Sequence, residues 1–301
     1  MKPRPRFIAL VGATATGKSG LALDLAGQLD AELVNADSMA LYRGMEIGTA
    51  RTPPGLRRGI AHHQIDLLDV TEEASVAAYQ RHARADIESI WQRGRTALLV
   101  GGSGLYVRAV TDVIEFPPYD AVVRARWQAL GDHHGASYLH AELARRDPAA
   151  AAAILPGNLR RLVRALEVIE VTGKPFAAQL PPPKQWRPVQ MIGLSMPFDQ
   201  LDQRIEARAN HMMEAGLIEE VRRLEGQGLR QGQTARRAIG YREALAVLDG
   251  ELTPQAALDR IALATRQLAR RQIKWFSRDR RLTWIDATGP DLVERALEQL
   301  Q

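Results

Sequence analysis

Along the first hundred residues, short apolar runs alternate with longer stretches in which apolar positions recur every three or four residues. The runs at 7–11 (Phe-Ile-Ala-Leu-Val) and 96–100 are almost continuously apolar and each stops at a glycine, Gly12 and Gly101. They predict strands buried on both faces, with a further short strand at 32–36. Between them, Leu21, Ala22, Leu25, Ala26 and Leu29 predict a helix over 18–29. Val76, Tyr79, Ala83, Ile87 and Ile90 predict another over 75–93. Strand–helix alternation of this kind implies a parallel sheet covered on both faces.

The pattern changes at Pro117-Pro118 and changes back after Pro181-Pro182-Pro183. Between these prolines lie helical patterns over 121–130, 137–146 and 158–171 and no convincing strand, so proline-rich hinges bracket an all-helical insertion. A strand resumes at 189–194. The remainder reads as helices over 199–213, 217–227, 241–248 and 253–278, with a last strand at 282–285. The expected organisation is a core of 1–116 and 188–301 and an insertion domain of 117–187.

Composition narrows the class. The 301 residues are 46% hydrophobic and 25% charged, which excludes disordered and collagen-like chains. No run of about 18 apolar residues exists to span a membrane. The basic start, Met1-Lys2-Pro3-Arg4-Pro5-Arg6, precedes an apolar run too short for a signal peptide. Cysteine is absent, which removes disulfides, thiolate nucleophiles and zinc fingers and makes the cytoplasm the expected location. The net charge is +5, and only five of the 40 basic residues are lysines. Arginine excess reflects either genome composition or a need to grip phosphates bidentately.

Gly12-Ala13-Thr14-Ala15-Thr16-Gly17-Lys18-Ser19 matches the GxxxxGK[ST] phosphate loop between a strand and a helix, the context that motif requires. Its backbone N–H groups and the helix N-terminus would cradle an anion. Lys18 would reach the terminal phosphate and Ser19 would hold Mg²⁺. Thr14 and Thr16 lie within reach of a diphosphate. The fold class is therefore α/β, a phosphate-loop NTPase-like core with the helical insertion. A kinase core usually places a second acid at the end of a buried strand for Mg²⁺. Here the strand at 96–100 ends in Gly101-Gly102-Ser103-Gly104, and the stretch Ile65-Asp66-Leu67-Leu68-Asp69 is no clear strand. The best-placed acid is Asp37, just past the second strand, where the carboxyl ends of parallel strands line a ligand crevice.

Further blocks are more specific. They are Asp37-Ser38-Met39-Ala40-Leu-Tyr-Arg-Gly-Met-Glu-Ile-Gly-Thr49, Val100-Gly-Gly-Ser103-Gly-Leu-Tyr106, Arg161-Leu162-Val163-Arg164-Ala-Leu-Glu-Val168, Arg237-Ala238-Ile239-Gly240-Tyr241-Arg242 and Thr265-Arg-Gln-Leu-Ala-Arg-Arg-Gln272. With the phosphate loop, these make the chain resemble the tRNA dimethylallyltransferases (tRNA isopentenyltransferases) along essentially its whole length. Departures are modest: Ala13 stands where proline is common, Ser103 where threonine is usual, Arg160 where glutamine is frequent, and Arg51-Thr52 replaces Lys-Pro.

The resemblance implies transfer of a dimethylallyl group from dimethylallyl diphosphate to the exocyclic N6 amine of the adenine 3′ to a tRNA anticodon. It implies Mg²⁺ and a bound diphosphate rather than ATP. Asp37 would be the general base for a weakly nucleophilic amine, its alternative role being a helix cap. Lys18 and Ser103 would complete the catalytic set, the alternative for Ser103 being a helix cap, and Arg208 would be either a second clamp on the diphosphate or an ordinary solvated helix arginine. Contacts to tRNA would come from Asp37, Ser38, Met39, Ala40, Ser103, Arg124, Arg160, Arg161, Leu162, Val163 and Arg164, and from 237–242, where Tyr241 would stack on a base. Arg266, Arg270, Lys274 and Arg278 recur every four residues and form either an RNA stripe or a solvated face. His62-His63 and His133-His134 are expected in surface loops. The expected partners are the anticodon stem-loop and dimethylallyl diphosphate, without a membrane, for a chain acting as a monomer. Two other readings are an ATP-dependent small-molecule kinase and a nucleotide-gated RNA-binding module without chemistry.

Overall fold

The computed structural model describes residues 6–300, so the basic stretch at 1–5 lies outside the described residues. Six parallel strands form one sheet in the order β3-β2-β4-β1-β5-β6. They are β1 (Phe7–Gly12), β2 (Ala31–Asn35), β3 (His62–His63), β4 (Thr96–Gly101), β5 (Gln190–Ser195) and β6 (Leu282–Asp286). Side chains alternate along each strand. Ile8 and Leu10 of β1 therefore join one apolar layer, and Phe7, Ala9 and Val11 join the other. The first layer packs under α1 (Lys18–Leu29), α8 (Phe198–Glu214), α11 (Pro254–Phe276) and α12 (Leu292–Glu298). The second is covered by α2 (Val76–Gln92) and α3 (Gly104–Thr111). A further core gathers Tyr42 and Met45 against α9 (Leu217–Glu225), α10 (Tyr241–Leu248) and α11. Among the described residues no helix is long and apolar enough to cross a membrane.

The pairing explains where function can sit. β1 pairs with β4 on one side and β5 on the other, and β2 pairs with β4. All carboxyl ends leave the same edge of a parallel sheet, so the loops after β2, β4 and β1 are side by side.

Four expectations change. His133-His134 form the last turn of helix α4 (Ala121–His134) rather than lying in a surface loop. His62-His63 are the edge strand β3, paired with Leu33 and Val34, rather than a surface loop. Two residues carry no periodicity, and the strand is held by the His63 ring on Glu32 at 2.7 Å. The helical unit runs from Ile114 to Lys184 rather than over 117–187. Trp186 belongs to the core unit because its N–H donates to the Thr111 carbonyl and its ring stacks on Trp91. The short helices α6 (Pro148–Ala153) and α12 have no counterpart in the sequence reading.

The helical unit contains α4 (Ala121–His134), α5 (Ala136–Arg146), α6 and α7 (Leu159–Thr172). Leu162 and Val163 are buried in its core with Trp127, Leu139 and Leu143, so their side chains cannot reach RNA as expected. Glu167, fully buried, accepts from Arg124 Nε at 3.0 Å, Arg164 Nη1 at 2.9 Å and the Asp120 N–H at 3.1 Å. Arg164 also donates to the carbonyls of Pro117 and Pro118, and Arg124 lies over the Tyr119 ring. These two arginines, expected on tRNA, are partly exposed and serve as counter-charges to a buried carboxylate. Removing one member of such a cluster leaves charge uncompensated. Glu167→Ala should therefore cost this unit about 3–5 kcal/mol, read as amide exchange in α4 and α7 faster by about 10²-fold or more. Equal exchange rates in variant and parent would show that the cluster contributes nothing.

Candidate active site

The loop between β1 and α1 curls because Ala15 (φ 65°) and Gly17 (φ 91°) both adopt left-handed backbone. Its interior is braced by Thr16, whose hydroxyl donates to the Ala13 carbonyl at 2.8 Å. Gly12, Ala13 and Thr16 are buried beneath the loop, while Thr14, Ala15, Gly17, Lys18 and Ser19 line a cavity of about 330 Å³. Two helices grip the loop at one residue. Arg208 of α8 donates through Nη1 to the Thr14 hydroxyl at 2.8 Å, and Gln272 of α11 accepts from the Thr14 N–H at 2.8 Å.

Charge in the cavity is unbalanced. Lys18 Nζ donates to the Ala13 carbonyl. Desolvation, and next the nearby Arg208 guanidinium, pull its pKa down to about 7, with Asp37 acting in the opposite sense. Burial lowers Arg208 as well, again opposed by Asp37. Lys18 and Arg208, both half-buried, thus share the cavity with the Asp37 carboxylate, while a third lining cation, Arg51, is paired with Glu46 and Asp66; the surplus of positive charge favours an anion bearing more than one negative charge.

Asp37 reaches the cavity from the end of β2. Asn35 shapes the turn: its Oδ1 accepts from the Asp37 N–H at 3.0 Å, and its Nδ2 donates to the carbonyls of Asp37 and Gln64, each at 2.9 Å. Asp37 Oδ1 accepts from the Met39 N–H at 3.0 Å, starting the 3-10 turn Met39–Leu41. The capping role is real but occupies one oxygen; Oδ2 has no partner among the described residues. Ala40 lines the cavity, whereas Ser38 and Met39 do not. At the end of β4, Gly101 and the following Gly102 line it, whereas Ser103, expected in the catalytic set, is not among the lining residues and starts α3 with no side-chain capping bond.

The segment 237–242 behaves differently from expectation. Tyr241 is fully buried and cannot stack on a base. Its hydroxyl donates to Glu220 at 2.6 Å, and burial followed by the Glu220 charge pushes its pKa up. Glu220 also accepts the N–H groups of Glu46, Ile47 and Gly48 at 3.2, 2.9 and 3.4 Å. A Cβ at Gly48 would lie 2.4 Å from the Tyr241 ring. Tyr241 therefore fixes the loop that follows Asp37. Ala238 and Gly240 are buried too and Ile239 is half-buried, leaving Arg237 and Arg242 exposed, the latter paired with Glu243.

In the helical unit, Arg160 is exposed without a partner among the described residues, and Arg161, also exposed, donates to the Ala178 carbonyl. On α11, Arg266 and Arg270 pair with Glu206 and Asp202 of α8, while Lys274 and, two residues past the helix, Arg278 are exposed with no ion pair among the described residues. Among the described residues no three His, Cys, Asp or Glu side chains group to hold a metal ion. The sequence reading missed Gln272 and Arg51. Gln272 ends a quoted block yet gives no local sign that it reaches the phosphate loop. Arg51 lines the cavity and pairs with Glu46 and Asp66.

Known proteins place this geometry. A tRNA dimethylallyltransferase of Nocardia farcinica is 54% identical, over 97% of this chain and 94% of that one. The solved tRNA isopentenylpyrophosphate transferase of Bacillus halodurans is 40% identical, with a TM-score of 0.70 over 97% of this chain and 93% of its own. A eukaryotic dimethylallyltransferase solved acting on tRNA is 26% identical, with a TM-score of 0.82 over 97% of this chain and 78% of its own. The family model described as IPP transferase matches residues 40–279, and the chain belongs to that family.

Proposed function

We propose that this chain transfers the dimethylallyl group of dimethylallyl diphosphate to the N6 amine of the adenine 3′ to a tRNA anticodon, releasing diphosphate. The observation that carries the reading is the meeting of Lys18, Arg208 and the Asp37 carboxylate in one cavity. A diphosphate answers the two cations. The adenine, flipped out of its stack, would present its amine to the free Asp37 oxygen. That carboxylate accepts the N6 proton as nitrogen bonds to the allylic carbon, while Lys18 and Arg208 stabilise charge on the leaving diphosphate.

Ser19, exposed beside Lys18 in the cavity, fits Mg²⁺ shared with phosphate oxygens and water, the sparse protein ligation this ion tolerates. When bound, Mg²⁺ would neutralise diphosphate charge. For RNA, the helical unit offers the exposed Arg160 and Arg161, and the core unit the exposed Arg237 and Arg242, the latter paired with Glu243. The ATP-kinase reading is disfavoured by the glycines that end β4 where a metal-holding acid would stand. Incubating tRNA with dimethylallyl-labelled diphosphate or with γ-labelled ATP decides between them: the prenyl label should move to tRNA, and movement of the phosphate label instead would sink the proposal.

Asp37→Asn keeps the acceptor for the Met39 N–H and removes the base. Single-turnover transfer at saturating tRNA should fall by about 10²-fold or more, with tRNA affinity nearly unchanged. A loss under about tenfold would move the base elsewhere.

Lys18, with its pKa near 7, is mostly neutral in the empty site at pH 8.5, and a bound diphosphate restores its charge. Binding above pH 7 should therefore take up a proton, and affinity should weaken by up to about tenfold per pH unit between 7 and 9. Calorimetry in two buffers of different ionisation enthalpy reads the uptake. No uptake in the parent, or the same uptake in Lys18→Met, would assign the proton elsewhere.

A further inference from the structure

The order of the strands fixes where bond exchange must occur. Asp37 follows β2, the phosphate loop follows β1, and β4 lies between them. An adenine amine at Asp37 and a diphosphate on the loop therefore place the reacting carbon and the oxygen it leaves above the carboxyl end of β4. The backbone there is Gly101-Gly102, without side chains. What fills the space is Gln272 of α11: a Cβ added at Gly102 would lie 2.5 Å from Gln272 Nε2 and 3.3 Å from its Cδ.

The orientation of that amide is determined. Its Oε1 accepts the Thr14 N–H at 2.8 Å, a bond only an acceptor can make. Nε2 must then carry its two hydrogens toward β4, where they have no acceptor among the described residues, and Gln272 lines the cavity. A phosphate loop ordinarily turns its backbone N–H groups to the anion. Here the Thr14 N–H is spent on a side chain that projects a replacement donor further along the cavity, toward the reacting centre.

We propose that Gln272 is a catalytic residue whose Nε2–H donates to the oxygen joining the dimethylallyl carbon to the diphosphate. The inference rests on the prenyl-transfer reading. In the step, the N6 lone pair forms the nitrogen–carbon bond as the carbon–oxygen bond breaks. The bonding pair passes to that oxygen, the amine proton passes to Asp37, and the diphosphate leaves. Negative charge grows on the bridging oxygen only as the bond breaks, so a fixed donor there acts on the transition state more than on binding.

Two variants separate this role from simple anchoring of the loop. Gln272→Met removes both donor and acceptor; Gln272→Glu keeps an acceptor for the Thr14 N–H and loses the donor. With tRNA and dimethylallyl diphosphate saturating, both should slow single-turnover transfer by about 10²-fold. Inorganic diphosphate should bind Gln272→Met within about threefold of the parent, a loss far below the loss of rate. A Gln272→Glu protein that regains the parent rate would overturn the proposal and leave an anchoring role. A Gln272→Met protein with unaltered rate at saturation would overturn it too. A parent protein that transfers no prenyl group would overturn the underlying reading, an outcome visible before any variant is made.

Discussion

Holding Lys18 and Arg208 together in a half-buried cavity, opposed there by Asp37, is the condition on which the core unit is built. Cations brought side by side in a poorly hydrated pocket repel each other and lose solvation. The apolar packing around them must outweigh that cost. The packing is that of α8 and α11 on the sheet through Leu201, Ile205 and Ala269, reinforced by the Arg270–Asp202 and Arg266–Glu206 pairs. From the same helices come the side chains that grip Thr14. The rigidity that tolerates the unfavourable charge therefore also sets the loop that receives the anion. The diphosphate proposed to bind here would relieve that repulsion on entering.

Arginine is put to two uses that composition alone does not separate. Arg124 and Arg164 serve Glu167, a carboxylate with no access to water. Arg108 and Arg281 serve the equally buried Asp112. The planar guanidinium suits this task because its donors answer carboxylate and carbonyl oxygens at once, as Arg164 does for Glu167, Pro117 and Pro118. Arg160 and Arg237, both exposed, have no acid partner among the described residues, which makes them the arginines best suited to the proposed RNA contact. A basic excess of this kind overstates the electrostatic footprint on nucleic acid.

What was legible in the sequence was what local pattern encodes. The apolar runs, the phosphate loop and the change of texture between the proline clusters give the sheet, its first helix and the insertion. Asp37 was legible because a parallel strand must deliver its following residue to the crevice. What was not legible depends on contacts far apart in the chain. Gln272 meets Thr14 across 258 positions, and Glu220 meets Ile47 across 173. Tyr241 misled for a related reason. An aromatic between two arginines has the composition of a base-stacking site, but Gly48 opposite it leaves room for the ring to be packed inward.

That inward packing ties the two most specific sequence blocks into one device. The loop beginning at Asp37 must end somewhere fixed if the carboxylate is to hold its position. Its end is pinned by Glu220, which collects three backbone N–H groups and the Tyr241 hydroxyl. Its beginning is pinned by Asn35, which holds Asp37 at both backbone groups. Between these anchors Asp37 uses one oxygen on the Met39 N–H and keeps the other open. The general-base role proposed for Asp37 requires a carboxylate held in place with a basic lone pair unoccupied, and dividing those duties between its two oxygens meets both demands. Tyr241, although its ring is packed inward, bears on the cavity by this route, since the position of the Asp37 carboxylate depends on the loop it closes.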